Sequence, residues 1–290
     1  MQRSAITLVE TMVVVSILAI FAGLVLMGVQ RARDTSRRIA CQNNLHQIGL
    51  AVEQFVQSSR TYPTLFANRG SKGDVAFERT LWVTLLPEMS IVTLPTERRI
   101  SLEDPKNLPP SVLRCPAGNQ LLGYRFSYGS GVRSIENQDG ITRAFRGVAP
   151  SDVTDGLSNT ALVSERMSGD QFKKPVGIAA LPFYFTDERF IADCSALKIP
   201  ERFVPETGLN WQGIQPLDLV YSHAATPNSP QWDCQGGPRQ LVTARSYHAA
   251  SVSVLFADGH MNSCSSSIDP VVWKAMGTIR GFEVPVGNSP

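Results

Sequence analysis

The most constraining feature of the sequence is an apolar run near its N-terminus. From Thr11 to Val29 there are nineteen residues without a charge, rich in Val, Ile, Leu and Met. A helix rises about 1.5 Å per residue, so this run approaches the roughly 30 Å thickness of bilayer hydrocarbon. A cleaved secretory signal usually has a shorter apolar region and a small-residue cleavage site, whereas this run ends in VQRARD. The sequence therefore predicts a membrane-spanning helix.

One carboxylate, Glu10, lies directly before this uncharged run. An ionisable group within a membrane segment costs on the order of 2.5–3.5 kcal/mol at the centre and less near an end, so it usually marks a function. In the first turn of a helix the backbone dipole favours an anion. The dipole explains why Glu10 is tolerated there, but it does not explain the residues in front of it.

The chain begins MQRSA and continues ITLVE, a short basic stretch followed by apolar residues and a glutamate. This beginning resembles the prepilin-type cleavage and methylation signal of type IV pilins and pseudopilins. The resemblance implies that residues 1–5 are a leader, that cleavage follows Ala5, that Ile6 becomes the methylated N-terminus, and that Glu10 is fifth in the mature chain. Two residues depart from the usual pattern, which has Gly in place of Ala5 and Phe in place of Ile6.

The same resemblance implies an assembly role for Glu10. In pili and pseudopili the hydrophobic helices bundle, and this carboxylate meets the terminal amine of a neighbouring subunit. A charge pair in a bundle of low dielectric constant is strongly favoured over two isolated charges, so it can set the axial register. The implied partners are the membrane, a prepilin peptidase that is also the methyltransferase, and other pilin-like subunits, including further copies of this chain.

The charges that flank the span conflict with the orientation of a pilin. Four arginines follow the span between residues 31 and 38, whereas only Arg3 and the terminal amine precede it. The positive-inside rule alone would place the C-terminal side in the cytoplasm. The leader and Glu10 are more specific than this charge bias. We therefore predict a single-pass protein of the cytoplasmic (inner) membrane, with its C-terminal domain facing the periplasm or the cell exterior.

An apolar stripe predicts that the helix continues beyond the span. The members of the stripe are separated by four, three, four and three residues, which is the period of one helix face: Cys41, Leu45, Ile48, Val52 and Phe55. The sequence TYP at 61–63 predicts the end of the helix.

These observations predict a pilin-like α+β fold. We expect one helix over residues 6–58, transmembrane over about 9–29 and amphipathic over 30–58, packed on an antiparallel β-sheet with long loops. Residues 59–290 are then the globular domain outside the cytoplasm.

Five segments after the span carry a second resemblance. They are RRIACQNNLHQIGLAVEQF at 37–55, RCPAG at 114–118, YRFSYGSG at 124–131, VTDGLSNTALVSE at 153–165 and YHAASVSVLFADGH at 247–260. They resemble a large bacterial family of prepilin-like proteins whose C-terminal domain of unknown function carries a His, nine residues and Asp-Gly. Here His248 and the pair Asp258–Gly259 have nine residues between them.

The sequence SVSVLFADGHMNSCS, from Ser251, predicts a β-hairpin. Asp-Gly is a preferred two-residue hairpin turn, in which Gly259 supplies positive φ. Turn chemistry therefore explains Asp258 and Gly259. An alternative stays open, in which His248, Asp258 and His260 are metal ligands or acid–base groups.

A second Asp-Gly pair, in TDGLSNT, has the same turn pattern. Asp155 and Gly156 are interpreted as turn residues, and Asp155 and Asn159 are expected to cap loops through bonds from side chain to backbone. Calcium coordination is a weaker alternative, because the spacing of an EF-hand is missing.

The chain contains five cysteines without a CxxC pair or a zinc-site spacing. Outside the cytoplasm disulfides are permitted. We hypothesise the pairs Cys41–Cys115 and Cys194–Cys234, neither of which the spacing determines, and Cys264 then remains a thiol.

Three functions compete at this point. No GxSxG, HExxH, Walker or dinucleotide motif occurs, and the formal net charge of +2 gives no argument for nucleic acid. We expect no cofactor, no metal and no enzymatic activity, and favour a structural or assembly subunit of a pilus or a secretion pseudopilus. The alternatives are an export-anchored domain that binds glycan or protein through residues 170–245 and the hairpin, and an anchored metal-dependent hydrolase centred on His248 and Asp258.

Overall fold

A long helix, α1 (Leu8–Ser59), forms the N-terminal part of the computed structural model. The structure describes residues 8–68, 77–90, 109–118, 121–133, 138–167, 177–204, 216–248 and 250–281. The shorter helices are α2 (Leu81–Leu85), α3 (Asp187–Ala196), α4 (Pro216–Leu219) and α5 (Pro270–Ala275). The strands are β1 (Phe66–Asn68), β2 (Phe77–Thr80), β3 (Tyr124–Ser127), β4 (Ala161–Glu165), β5 (Ile178–Ala180), β6 (Val220–Tyr221), β7 (Asp233–Gly236), β8 (Arg239–Leu241), β9 (Ser251–Phe256) and β10 (Met261–Ser265).

No described part of the globular domain packs around the first half of α1. The large apolar side chains from Leu8 to Val29 are between 42% and 74% exposed. In the described part of the chain, α1 is the one helix that is long and apolar enough to cross a membrane. By length and composition α1 fits a membrane anchor and a signal sequence alike. The predicted apolar helix is therefore present, with residues 6 and 7 outside the described range.

The second half of α1 packs on the globular domain, as its sequence pattern predicts. Cys41, Leu45, Ile48 and Val52 are at most 1% exposed, and Phe55 is partly buried against them. The helix ends at Ser59, just before the predicted exit at residues 61–63. The Tyr62 hydroxyl donates a hydrogen bond of 2.9 Å to the carbonyl oxygen of Ala257, which holds the exit against the sheet.

The main sheet is mixed rather than purely antiparallel, which corrects one detail of the predicted fold. Its strand order is β10-β9-β4-β3-β6, and β6 pairs with β3 in the parallel sense. The reason is that β4 runs antiparallel to β3 and therefore ends where β3 begins. The chain passes through β5, α3 and α4 and re-enters from that end on the other side of β3, so β6 runs in the same direction as β3. A smaller sheet of order β5-β7-β8 also contains one parallel pair, β5 with β7.

The main sheet is covered on both faces, because successive side chains of a strand point to opposite sides. On one face, Leu255 packs against α1 at Gly49, where a Cβ atom would lie 3.0 Å from the Leu255 Cδ1 atom. On the other face, Val254 and Phe256 join a cluster with Trp273 of α5. The fold is therefore α+β, with the long helix on one side of the sheet.

A buried network of charges links the two larger sheets. Arg166 Nη2 lies 3.1 Å from Asp218 Oδ1, and Arg245 Nη2 lies 2.9 Å from Asp233 Oδ1. Arg125 of β3 lies 3.9 Å from the second oxygen of Asp233. All five side chains are at most 5% exposed. Removing one partner of such a network leaves an uncompensated buried charge, so the arrangement strongly restricts substitution.

The two faces of α1 provide a test of this packing. Replacing the buried Leu45 with Ala should lower the free energy of unfolding by about 2–5 kcal/mol, because a cavity remains under the helix. Leu50 lies on the same helix but is 48% exposed, so Leu50→Ala should change it by no more than about 0.5 kcal/mol. Denaturant unfolding of the full chain in detergent, followed by tryptophan fluorescence, measures both. Equal losses would contradict the packing described for α1.

Candidate functional site

The hairpin that carries the Asp-Gly motif is present, but its turn has three residues rather than two. The backbone N–H of Phe256 donates to the His260 carbonyl oxygen at 2.9 Å, and the Gly259 N–H donates to the Phe256 carbonyl oxygen at 3.0 Å. Ala257, Asp258 and Gly259 therefore form the loop, and Gly259 closes it at φ +88°. Such a loop needs a left-handed residue at its third position, which is why Gly stands there. The prediction of a two-residue Asp-Gly turn was wrong, whereas the positive φ at Gly259 is confirmed.

The Asp258 carboxylate forms hydrogen bonds within its own turn. Its Oδ1 atom accepts hydrogen bonds from the backbone N–H of His260 at 3.1 Å and from the His260 ring at 2.6 Å. The partial burial of Asp258 acts to raise its pKa, but these hydrogen bonds outweigh burial and the net pKa is lowered. The His260 ring in turn stacks on Phe256, with centroids 4.4 Å apart and planes 10° from parallel.

His248 lies at the opposite end of β9 from Asp258. The six residues of this strand span roughly 20 Å at about 3.3 Å per residue. His248 donates its backbone N–H to the Ser246 hydroxyl at 3.0 Å, and its Nε2 atom lies 3.9 Å from Glu165 Oε1. The structure therefore does not bring His248 and Asp258 into one site, and a shared metal or acid–base pair has no geometric basis.

The second Asp-Gly pair also forms a turn. Gly156 has φ +93°, and the side-chain amide of Asn159 donates 2.9 Å to the Asp155 carbonyl oxygen. The Asn159 bond is of the side-chain-to-backbone kind that the sequence predicts. The Asp155 carboxylate also reaches a distant segment, because its Oδ2 atom accepts from the Thr278 hydroxyl at 2.9 Å and from the Gly281 N–H at 2.6 Å. Asp155 therefore fixes the segment after α5, more than a hundred residues away.

The two Asp-Gly turns and α5 surround one surface cleft of about 320 Å³. Its walls include Asp155, Asn159, Phe256, His260 and Met276. A cleft of this size falls at the lower end of the range for small-molecule sites, and a mixed lining of aromatic, amide and carboxylate groups is typical of them. Asp155 and Asn159, which the sequence singled out at the second turn, therefore also line a candidate binding site.

Glu165, which the sequence analysis did not single out, lies opposite His248 in the protein interior. It is 2% exposed, and its Oε2 atom accepts a 2.9 Å hydrogen bond from the Ser253 N–H. Burial raises the pKa of Glu165 against the opposing effects of Ser253, Ser246, His248 and Arg38. The sequence does indicate this residue, because an acidic side chain ends the apolar stretch ALVSE. If this stretch is interpreted as a strand, the acidic residue belongs to the core.

Both cysteine pairs that were hypothesised are joined in the structure. Cys41 of α1 is bonded to Cys115, and Cys194 of α3 is bonded to Cys234 of β7. Cys264 is a buried thiol, and burial raises its pKa to about 11. The sulfur atoms of Cys41 and Cys115 lie beside Glu165 and His248.

The residues of the predicted processing signal lie at the edge of the described range. Ala5 and Ile6 lie outside the described residues, and Glu10 is part of α1 with its side chain outside the description. Their roles stay predictions.

Comparison with known proteins gives one match. Residues 30–91 and 120–271 match a family described as "Protein of unknown function (DUF1559)". The chain belongs to this family. No curated protein and no solved structure matches it. The matched residues include the buried half of α1, Glu165, His248 and the Asp258–Gly259 turn, so both ends of β9 lie within the part of the chain that matches the DUF1559 family.

Substitution by alanine tests whether the turn requires glycine at position 259. A Cβ atom at Gly259 would meet nothing within 4 Å, so Gly259→Ala should cost about 1–2 kcal/mol of unfolding free energy through the left-handed backbone alone. Gly131 is the matched control, because it is equally open but has no left-handed φ. Thermal or denaturant unfolding measures both variants. A neutral Gly259→Ala would show that the turn does not need glycine.

A buried histidine in the same domain predicts a dependence on pH. Burial lowers the pKa of His223 to about 3, and its Nδ1 and Nε2 atoms lie 2.7 Å from the Trp273 carbonyl oxygen and 3.2 Å from the Tyr221 hydroxyl. The native ring stays neutral while the unfolded chain takes up a proton below its ordinary pKa of about 6.5. The stability that His223 contributes is therefore complete above about pH 6.5 and is lost as the pH falls toward 3.

His223→Gln should accordingly flatten the fall in unfolding free energy between about pH 7 and pH 4. His46, which is exposed on α1, is the control, and His46→Gln should leave the slope as in the unaltered chain. Denaturant titrations at a series of pH values measure the slope. Identical slopes in all three proteins would contradict the role given to His223.

Proposed function

We propose that the chain is a membrane-anchored, pilin-like subunit of the cell envelope with a structural or assembly role rather than a catalytic one. One observation carries this proposal. The apolar side chains from Leu8 to Val29 are exposed around the whole helix, and the described domain packs only on the later part of α1. Water is an unfavourable surrounding for such a surface. Lipid, or a bundle of similar helices, provides the surrounding that it needs.

In this proposal a prepilin peptidase removes residues 1–5 and methylates the new N-terminus at Ile6. The resemblance of MQRSAITLVE to a prepilin signal supports this step. Glu10 then pairs with the terminal amine of a neighbouring subunit inside the bundle. The pair is favoured because the alternative is two separate charges in apolar surroundings.

Two disulfides support an orientation with the domain outside the cytoplasm. The first disulfide-bonded cysteine, Cys41, lies twelve positions after Val29. The disulfide-bonded part of the chain therefore starts soon after the apolar segment. Disulfides persist in the periplasm and at cell surfaces and are rare in the cytosol. This argument agrees with the prepilin resemblance and weighs against the positive-inside rule. Three exposed arginines would then lie at the outer surface of the cytoplasmic membrane, where the span meets water: Arg31, Arg33 and Arg37.

The cleft beside the two Asp-Gly turns favours a second candidate function. Its mixed lining of Phe256, His260, Asn159 and Asp155 is the chemistry of a site for a small polar ligand or a glycan. A domain that is anchored by its signal and binds such a ligand remains the alternative to an assembly subunit. The hydrolase alternative has lost its geometric support, because His248 and Asp258 lie at opposite ends of β9.

The assembly role predicts that Glu10→Ala abolishes multimers. Chemical crosslinking in intact membranes, followed by gel electrophoresis, should show multimers for the unaltered chain and monomers for the variant. Glu53 is the matched control, because it is an exposed glutamate on the same helix beyond the apolar segment. Glu53→Ala should therefore keep the multimers. Loss of multimers in both variants, or in neither, would contradict the role of Glu10.

Intact-mass analysis of the same membrane extracts checks the processing step. All three proteins are expected to begin at methylated Ile6. Retention of MQRSA would contradict cleavage by a prepilin peptidase. A chain that begins beyond residue 20 would indicate ordinary secretion and would contradict the membrane anchor itself.

A further inference from the structure

Four chemically reactive side chains converge from distant parts of the chain. Cys41 comes from α1, Cys115 from the segment after the short helical turn Ser111–Leu113, Glu165 from the end of β4 and His248 from the segment before β9. One ligand atom from each lies within 4.8 Å of the other three. In the described part of the chain this is the one group of three or more His, Cys, Asp or Glu residues with such geometry.

We propose that this cluster has a second state, in which reduced Cys41 and Cys115 bind a zinc-type metal ion together with Glu165 and His248. Thiolate, imidazole and carboxylate are the ligands that Zn²⁺ uses in tetrahedral sites. With bond lengths of about 2.0–2.3 Å, a tetrahedron places its ligand atoms roughly 3.3–3.8 Å apart. The Glu165 and His248 atoms, 3.9 Å apart, are already close to this spacing. The two sulfur atoms, which are about 2 Å apart while they are bonded, must separate by roughly 1.5 Å after reduction, a movement within the reach of side-chain rotation.

Two unpartnered atoms point to a missing ligand. Glu165 Oε1 and His248 Nε2 are buried and have no hydrogen-bond partner among the described residues, and they lie 3.9 Å from each other. Buried polar atoms are nearly always bonded, so a facing pair of orphans requires an explanation. A metal ion between them would bind both. The backbone N–H of Ser253 already fixes the other oxygen of Glu165, as outer partners of metal ligands commonly do.

The site also has the enclosure and the access that a metal centre needs. Cys41 is fully buried, Cys115 is 5% exposed and the Glu165 side chain is 2% exposed. The His248 side chain is 10% exposed and forms the outer wall. A metal ion would therefore enter past the imidazole and bind away from bulk water, where competition by water for the ligands is weak.

The disulfide state and the metal state exclude each other, because the same two sulfur atoms take part in both. A dithiol reductant supplies two electrons and two protons, the Cys41–Cys115 bond breaks through a mixed disulfide, and the reductant is left as its own disulfide. The metal ion then displaces both thiol protons and binds the two thiolates. Oxidation by a disulfide-forming enzyme reverses the sequence and releases the metal ion.

The second disulfide offers a matched control within the same chain. Cys194 and Cys234 are also buried, but no described histidine or carboxylate completes a comparable group around them. Reduction of this pair should therefore produce two thiols without a metal site.

The test uses the full chain in detergent, reduced with a dithiol, freed of reductant under anaerobic conditions and titrated with Co²⁺ alone. The unaltered chain and the double variant Cys194→Ser/Cys234→Ser should both give the visible and charge-transfer bands of tetrahedral cobalt–thiolate coordination, and should retain one Zn²⁺ per chain after desalting. Cys41→Ser/Cys115→Ser should lose the bands. His248→Ala should weaken Co²⁺ binding by more than the roughly 10–100-fold that loss of an outer partner costs.

Circular dichroism of each protein separates loss of the site from loss of the fold. A reduced chain that is folded but shows no cobalt–thiolate band overturns the proposal. So does a reduced chain that stays unfolded when Zn²⁺ is present. Bands that persist in Cys41→Ser/Cys115→Ser, or that are unchanged in His248→Ala, place the metal elsewhere and overturn it as well.

Discussion

The structure depends on one helix that lies in two different surroundings. In its first half α1 shows apolar side chains on every side, and in its second half a single stripe is buried on the sheet. The backbone hydrogen bonds of the helix continue from the apolar half into the buried half. The position of the globular domain is therefore fixed relative to the apolar half. Cys41 is the first fully buried residue of α1 and is also bonded to Cys115. The covalent attachment therefore begins where the protein core begins.

The far side of the sheet is organised by charge as well as by apolar packing. Arg166 and Arg245 pair with Asp218 and Asp233 at no more than 4% exposure. These residues come from the end of β4, from α4, from β7 and from the segment after β8. The ion pairs between them hold the smaller sheet on the main one. They also provide a geometric specificity that apolar contacts alone do not give. The α1 side of the sheet, in contrast, is almost entirely apolar.

Local sequence signals predicted the elements that depend on neighbouring residues. The helical stripe from Cys41 to Phe55, the end of α1 and the hairpin at Gly259 all follow from periodicity and turn chemistry over a few residues. Features that depend on long-range pairing did not follow from the sequence. The parallel pairing of β6, the contact of Asp155 with the segment after α5 and the position of Glu165 opposite His248 each join residues more than eighty positions apart. No local pattern contains such information.

The spacing of the His and Asp-Gly residues has a physical explanation in β9. His248 precedes this strand and lies in the wall of the cluster with Cys41, Cys115 and Glu165, whereas Asp258 and Gly259 close the hairpin at its other end beside the cleft. The nine residues between them are mainly one strand that crosses the sheet. A fixed spacing therefore does not require that the two ends act on the same ligand. It requires only that both ends keep their register with β4, which supplies Glu165 at one end and pairs with Phe256 at the other.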